Sequence, residues 1–168
     1  MNAKDIARGG MLAAAAVALL YIGGASPWMG LACCAAAGVF SAVPLLRRGR
    51  VRHAVLLYLA AALLAALIVP RKSVAAGYIG LFGVYPILKY GIESRIPRHV
   101  QRYVKLAYFN VLLAVLAVLA KAGLFPQFAG MGLIRLALLW IAANIAFEFY
   151  DVGLSRLIAA LRRRLPPD

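Results

Sequence analysis

Apolar runs fill the chain from end to end, and short clusters of charge or single prolines cut them apart. Four of these runs carry at most one charge over roughly the 20 residues that cross a hydrocarbon core. The punctuation predicts six membrane helices, over residues 9–26, 28–46, 54–69, 74–88, 106–125 and 130–149. Pro27, Pro70 and Pro126 mark ends of the first, third and fifth, since proline cannot continue a helix without losing a backbone bond. An amphipathic segment follows over 151–165, with Val152, Leu154, Leu157, Ile158 and Leu161 apolar and Arg162, Arg163 and Arg164 at its close. It is expected to extend the sixth helix and lie on the inner headgroup layer.

Composition points the same way. The chain has 168 residues, is 65% hydrophobic and has a mean hydropathy of +0.88. A soluble domain of this size has too little interior to hide so much apolar surface. The fold class expected is an all-α integral membrane protein, a single transmembrane domain with no linker. The first run has the charge pattern of a signal peptide, with Lys4 and Arg8 ahead of it. A second apolar run follows at once as a hairpin partner, which favours an uncleaved first helix.

The net charge of +14 suggests nucleic acid, but the cations are spaced as punctuation between apolar runs and do not form a basic face. No nucleic-acid partner is expected; membrane lipid is. With the N-terminus inside, the inner segments hold Lys4, Arg8, Arg47, Arg48, Arg50, Arg52, Lys89, Arg95, Arg98, Arg102, Lys105, Arg156 and Arg162–Arg164. The outer segments hold only Arg71, Lys72 and Lys121, while Arg135 falls within helix six. This bias places both termini in the cytoplasm of a bacterial plasma membrane. Cys33 and Cys34 are adjacent, with no metal-ligand spacing, and read as small core residues.

Two regions carry candidate chemistry. Near the end of helix six, the stretch NIAFEFYD (144–151) holds two of the five acidic residues. Asn144, Glu148 and Asp151 fall at i, i+4 and i+7, on one helical face. Lys89 and Glu93 share a stripe with Tyr78, Phe82 and Tyr85, and Lys105 and Asn110 open helix five. Charges near a bilayer are tolerated when they pair. Lys89, Glu93, Lys105, Asn110, Asn144, Glu148 and Asp151 are therefore expected to form an inner polar network fastening helices four, five and six. Structural fastening is the simpler role; a gating network, with Glu148 as its protonatable member, is the sharper one.

The outer half has cations without carboxylates. Arg71, Lys72 and Lys121 suit snorkelling to headgroups. Arg135, with Trp140 five residues on and Tyr78 as a further aromatic, is the expected ligand contact. Helix four is short, with Gly77, Gly80, Gly83 and Pro86. Broken helices of this type expose backbone groups at transporter sites, and glycines equally let helices approach closely.

No enzyme is expected, and no cofactor or metal. There is no phosphate-binding G-x-x-x-x-G-K-[ST] loop, no H-E-x-x-H and no G-x-S-x-G. His53 and His99 read as residues of basic inner loops.

The first helix reads GGMLAAAAVALLYIGG (9–24), with Gly10, Ala14 and Ala18 at spacings of four. In size, topology and this opening helix the chain resembles the substrate-binding S components of energy-coupling factor transporters, or an uncharacterised small bacterial membrane family of similar plan. The resemblance implies a six-helix binder of a micronutrient-type small molecule. Gly10, Ala14 and Ala18 would dock on a transmembrane T subunit driven by ATPases. Any small-xxx-small helix contact has the same spacing. FGVYPILKYGIES (82–94) matches no S component of known substrate, so no binding residues carry over. The alternative is a non-catalytic membrane scaffold acting through helix one and the basic cytoplasmic face.

Overall fold

A computed structural model describes residues 3–26, 28–46, 51–121 and 131–164. These form α1 (Ala3–Ala25), α2 (Gly30–Leu46), α3 (Val51–Ile68), α4 (Lys72–Gly77), a π-helical turn (Tyr78–Phe82), α5 (Tyr85–Arg95), α6 (Arg98–Lys121) and α7 (Leu133–Arg164). No strand occurs among the described residues. Among the described residues, four helices are long and apolar enough to cross a membrane: Asp5–Ala25, Val51–Ile68, Arg98–Val118 and Leu133–Arg163. Gly30–Leu46 is a shorter apolar helix of 17 residues.

The helices overrun the sequence-predicted boundaries on their charged sides. α1 begins at Ala3, ahead of residue 9, and α6 at Arg98, ahead of residue 106. Hydropathy marks where lipid ends, whereas a helix ends where its backbone loses hydrogen bonds. His53 and His99 consequently sit in the first turns of α3 and α6 and are not loop residues. The segment 151–164 continues the sixth predicted helix without a break. At 1.5 Å per residue, the 32 residues of α7 extend about 48 Å, against roughly 30 Å of hydrocarbon core. The predicted stretch 122–125, Pro27, Pro126, the start of helix six at 130 and Leu165 lie outside the described residues, as does the side chain of Lys121.

Backbone contacts divide the chain into two units, Met1–Gly91 with Leu157–Asp168, and Ile92–Arg156. In the first unit, α1 packs on α2 and α3, and α2 packs on α3, α4 and the π turn. The contact surface is made of small side chains: Ala16, Ala37, Ala61 and Ala65 are fully buried. Between helices in lipid, where water supplies no drive for association, close backbone approach provides the attraction. Gly23 shows how close: a Cβ there would stand 2.6 Å from the Cβ of Cys33. Cys33 and Cys34 are both buried and free, in keeping with a packing role. On α1 the buried set Ala13, Ala16, Val17 and Leu20 repeats at helical spacing, which leaves Gly10, Ala14 and Ala18 exposed on the opposite face.

In the second unit, α6 runs against the first part of α7. Lys105 meets Asp151, Phe109 stacks on Phe147 with centroids 4.3 Å apart, and Asn110 meets Asn144. One index rises as the other falls, so the helices are antiparallel. Gln101 Nε2 donates to the carbonyl of Ile96 at 2.8 Å, satisfying an acceptor left over at the end of α5.

Candidate functional site

The fourth predicted helix is interrupted, and its interruption is the most unusual feature of the first unit. After α4 the backbone widens into the π turn, closed by a bond from Gly83 N–H to the Tyr78 carbonyl at 2.8 Å. Pro86, which lacks an N–H, sits in the first turn of α5, where that donor has no helical partner in any case. The carbonyls of Ile87's and Leu88's helical turn are re-established at Val84, whose oxygen accepts from both N–H groups at 3.1 Å.

Side chains of α2 and α3 hold this segment. Cys34 Sγ donates to the Val74 carbonyl at 3.3 Å, and Tyr58 Oη donates to the Ile79 carbonyl at 2.8 Å. Ser41 Oγ and Tyr78 Oη lie 3.4 Å apart, and the Tyr58 and Tyr78 rings are tilted at a centroid distance of 6.3 Å. The hydroxyl of Tyr58 thus meets a carbonyl inside the π turn itself. In a bilayer, irregular backbone persists only where neighbouring protein satisfies its polar groups.

Gly83 is required by the same clamp. A Cβ there would meet Tyr78 Cζ at 2.8 Å and Tyr58 Cδ2 at 2.9 Å. Of the predicted stripe, Tyr78, Phe82, Tyr85 and Lys89 are buried, and Glu93 is exposed. Lys89 is only 2% exposed and is engaged by other groups of the chain.

The second unit carries the polar ladder. Lys105 Nζ donates to Glu93 Oε1 at 2.7 Å and to Asp151 Oδ2 at 3.1 Å. Its side chain is 8% exposed, so the ammonium lies between two carboxylates with little water. Arg102 Nε donates to Glu148 Oε1 at 3.0 Å, in a more open setting. Asn110 Nδ2 donates to Asn144 Oδ1 at 2.9 Å, and Asn110 Oδ1 accepts from Trp140 Nε1 at 2.8 Å.

The structure therefore brings together Glu93, Lys105 and Asp151 as one group and Asn110 and Asn144 as another. It gives Glu148 a partner, Arg102, that the sequence analysis left outside the network. Trp140, expected to contact ligand beside Arg135, has its indole N–H committed to Asn110. Arg135 is exposed and makes no hydrogen bond or ion pair among the described residues. Tyr78, the third expected ligand contact, belongs to the first unit and is fully buried.

At the far end of α3, Lys72 Nζ donates to the Ala66 carbonyl at 2.8 Å, and Arg71 Nη1 to that of Ser26 at 3.2 Å. These two cations have backbone partners as well as any headgroup. Among the described residues no cluster of His, Cys, Asp or Glu has a metal-binding arrangement.

No family model, curated protein or solved structure matches the chain.

Proposed function

We infer that the chain is a membrane transport component, an S-component-like binder of a small molecule with six crossings and both termini in the cytoplasm of a bacterial plasma membrane. The observation that carries this reading is the interrupted fourth segment. A π turn between Gly77 and Gly83, in an otherwise apolar bundle, is retained at the cost of regular helix bonding. π turns and discontinuous membrane helices recur at ligand sites, because they free backbone groups. In this reading Arg135 and Trp140, both in the second unit, are the ligand contacts. Arg135, without a protein anion, suits an anionic group on the molecule carried. The exposed face of Gly10, Ala14 and Ala18 is the docking surface for a T subunit with its ATPases.

A gentle-detergent isolation from the native membrane, with proteins and metabolites identified by mass spectrometry, tests the reading. Recovery of a T subunit and ATPases with a small molecule is the expected result, and Ala14→Val with Ala18→Val should lose the proteins and keep the molecule. Recovery of the chain with neither overturns it.

A second reading, a non-catalytic scaffold, is favoured by the second unit. Few residues of Arg98–Val118 and Leu133–Arg163 are buried within the chain, leaving broad apolar faces for a partner. Recovery of other membrane machinery, without T subunit or metabolite, would select it.

A further inference from the structure

A cavity of about 530 Å³ lies within the first unit, among the N-terminal halves of α1 and α3 and the C-terminal end of α2. Leu12, Val43, Pro44, Leu56, Leu57 and Ala60 give it an apolar wall. Asp5 and Arg8, from the first two turns of α1, and His53, from the first turn of α3, are its polar lining side chains. Pro44 lies inside α2, where a proline both removes a backbone bond and bends the helix. Gly9 and Gly10 also line the cavity, and a Cβ at either would find nothing within 4 Å. The gap thus lies where the proline-bearing end of α2 faces a turn of α1 that carries no side chains at Gly9 and Gly10.

We propose that this groove binds an anionic phospholipid, with an acyl chain along the apolar wall and the phosphate at Arg8 and His53. The proposal needs a bilayer around the chain and is independent of the transport reading. The volume falls within roughly the 300–1,000 Å³ of small-molecule sites. The surrounding acyl chains are the apolar objects at hand to fill it. Moving an acyl chain from bilayer to groove gains little, because lipid tails are as apolar as leucine. Selection therefore falls to the headgroup.

There the charge is suited to an anion. Arg8 is exposed, as is Arg52 beside His53, and they outnumber Asp5, which is already engaged within the chain. His53 Nε2 is buried and has no hydrogen-bond partner among the described residues. A buried polar atom without a partner costs stability unless a ligand or water meets it, and phosphate oxygens accept readily from an imidazole N–H. Basic pockets between membrane helices select anionic headgroups on this principle.

The full chain, reconstituted in equal phosphatidylglycerol and phosphatidylcholine and extracted in mild detergent, can be weighed intact by native mass spectrometry. Retained phosphatidylglycerol should exceed phosphatidylcholine about fivefold, the effect of one basic residue at an anionic surface. Arg8→Gln should remove most of that preference while lipid is still retained. Ala60→Trp should expel both lipids at unchanged helicity, with Leu12→Phe as the smaller filling if the tryptophan variant does not fold. Arg163→Gln, on exposed α7, should change nothing.

Equal retention of the two lipids overturns the proposal, as does a preference that survives Arg8→Gln or falls equally with Arg163→Gln. Displacement of the lipid by soluble glycerol phosphate would also overturn it, by identifying a free-phosphate site in place of a lipid site.

Discussion

The two units solve one problem in different ways. The first holds its helices together with alanines, glycines and hydroxyl or thiol groups aimed at main-chain carbonyls. The second uses ions and amides paired side chain to side chain between α6 and α7. The difference follows from what each must satisfy. Around the π turn the unmet groups are backbone carbonyls, which a short donor such as Tyr58 or Cys34 can reach once the helices are close. Along α6 and α7 the backbone is regular, and the polar groups needing partners are the side chains themselves. Close packing therefore belongs with irregular backbone, and the polar ladder with uninterrupted helices.

This contrast can be broken most severely at Lys105. Lys105→Met would leave Glu93 and Asp151 facing each other in a half-dry site. Removing one member of a buried ion group costs about 3–5 kcal/mol, to be read by reversible denaturation in mixed micelles. A loss below about 1 kcal/mol, the range of exposed pairs, would mean that the group is solvated.

The first unit has its own sensitive point at Gly83. Gly83→Ala drives a methyl into two tyrosine rings at 2.8 and 2.9 Å, and overpacking of this kind costs about 1–3 kcal/mol. Gly10→Ala, with open space around it, should be close to neutral in the same assay. Equal effects of the two substitutions would dissolve the distinction between a clamped and an open glycine.

Asn110 and Asn144 give a smaller effect. A double-mutant cycle with leucine at both positions should return a coupling of about 0.6 kcal/mol, and not above roughly 1.7, the range for hydrogen bonds between membrane helices. A coupling near zero would separate the amides in solution. Arg102→Gln is expected to cost least, about 0–1 kcal/mol and less in high salt, because Arg102 is 73% exposed in its pair with Glu148.

How much of this was legible depends on where the partners are written. Lys105, Asp151, Asn110 and Asn144 could be matched from sequence because charges and amides are rare in apolar runs, and helical spacing placed them on one face each. Glu148 was harder. Both Arg102 and Lys105 open α6, and only the rotation of the helix pair decides which carboxylate each one takes. The partners of Tyr58 and Cys34 are carbonyl oxygens of Ile79 and Val74, and an alphabet of side chains has no letter for them. The glycines and Pro86 of helix four did signal an interruption. They did not signal that the backbone would widen into a π turn, which depends on α2 and α3 supplying donors. Boundaries were misplaced where a helix began earlier, among charged residues, as ahead of residue 9 and at Arg98.

The π turn also acts as an insertion held in phase. It places an extra residue in one turn between Gly77 and Gly83, so every later side chain is rotated about 100° from its position on an uninterrupted helix. Tyr85 and Lys89 owe their buried facing to that offset. Regularising the helix with all its residues kept would turn both of them out of the core, whereas deleting a single residue from 78–82 would remove the insertion and preserve their facing. The extra residue and the wide turn belong together, and losing either without the other is the damaging change.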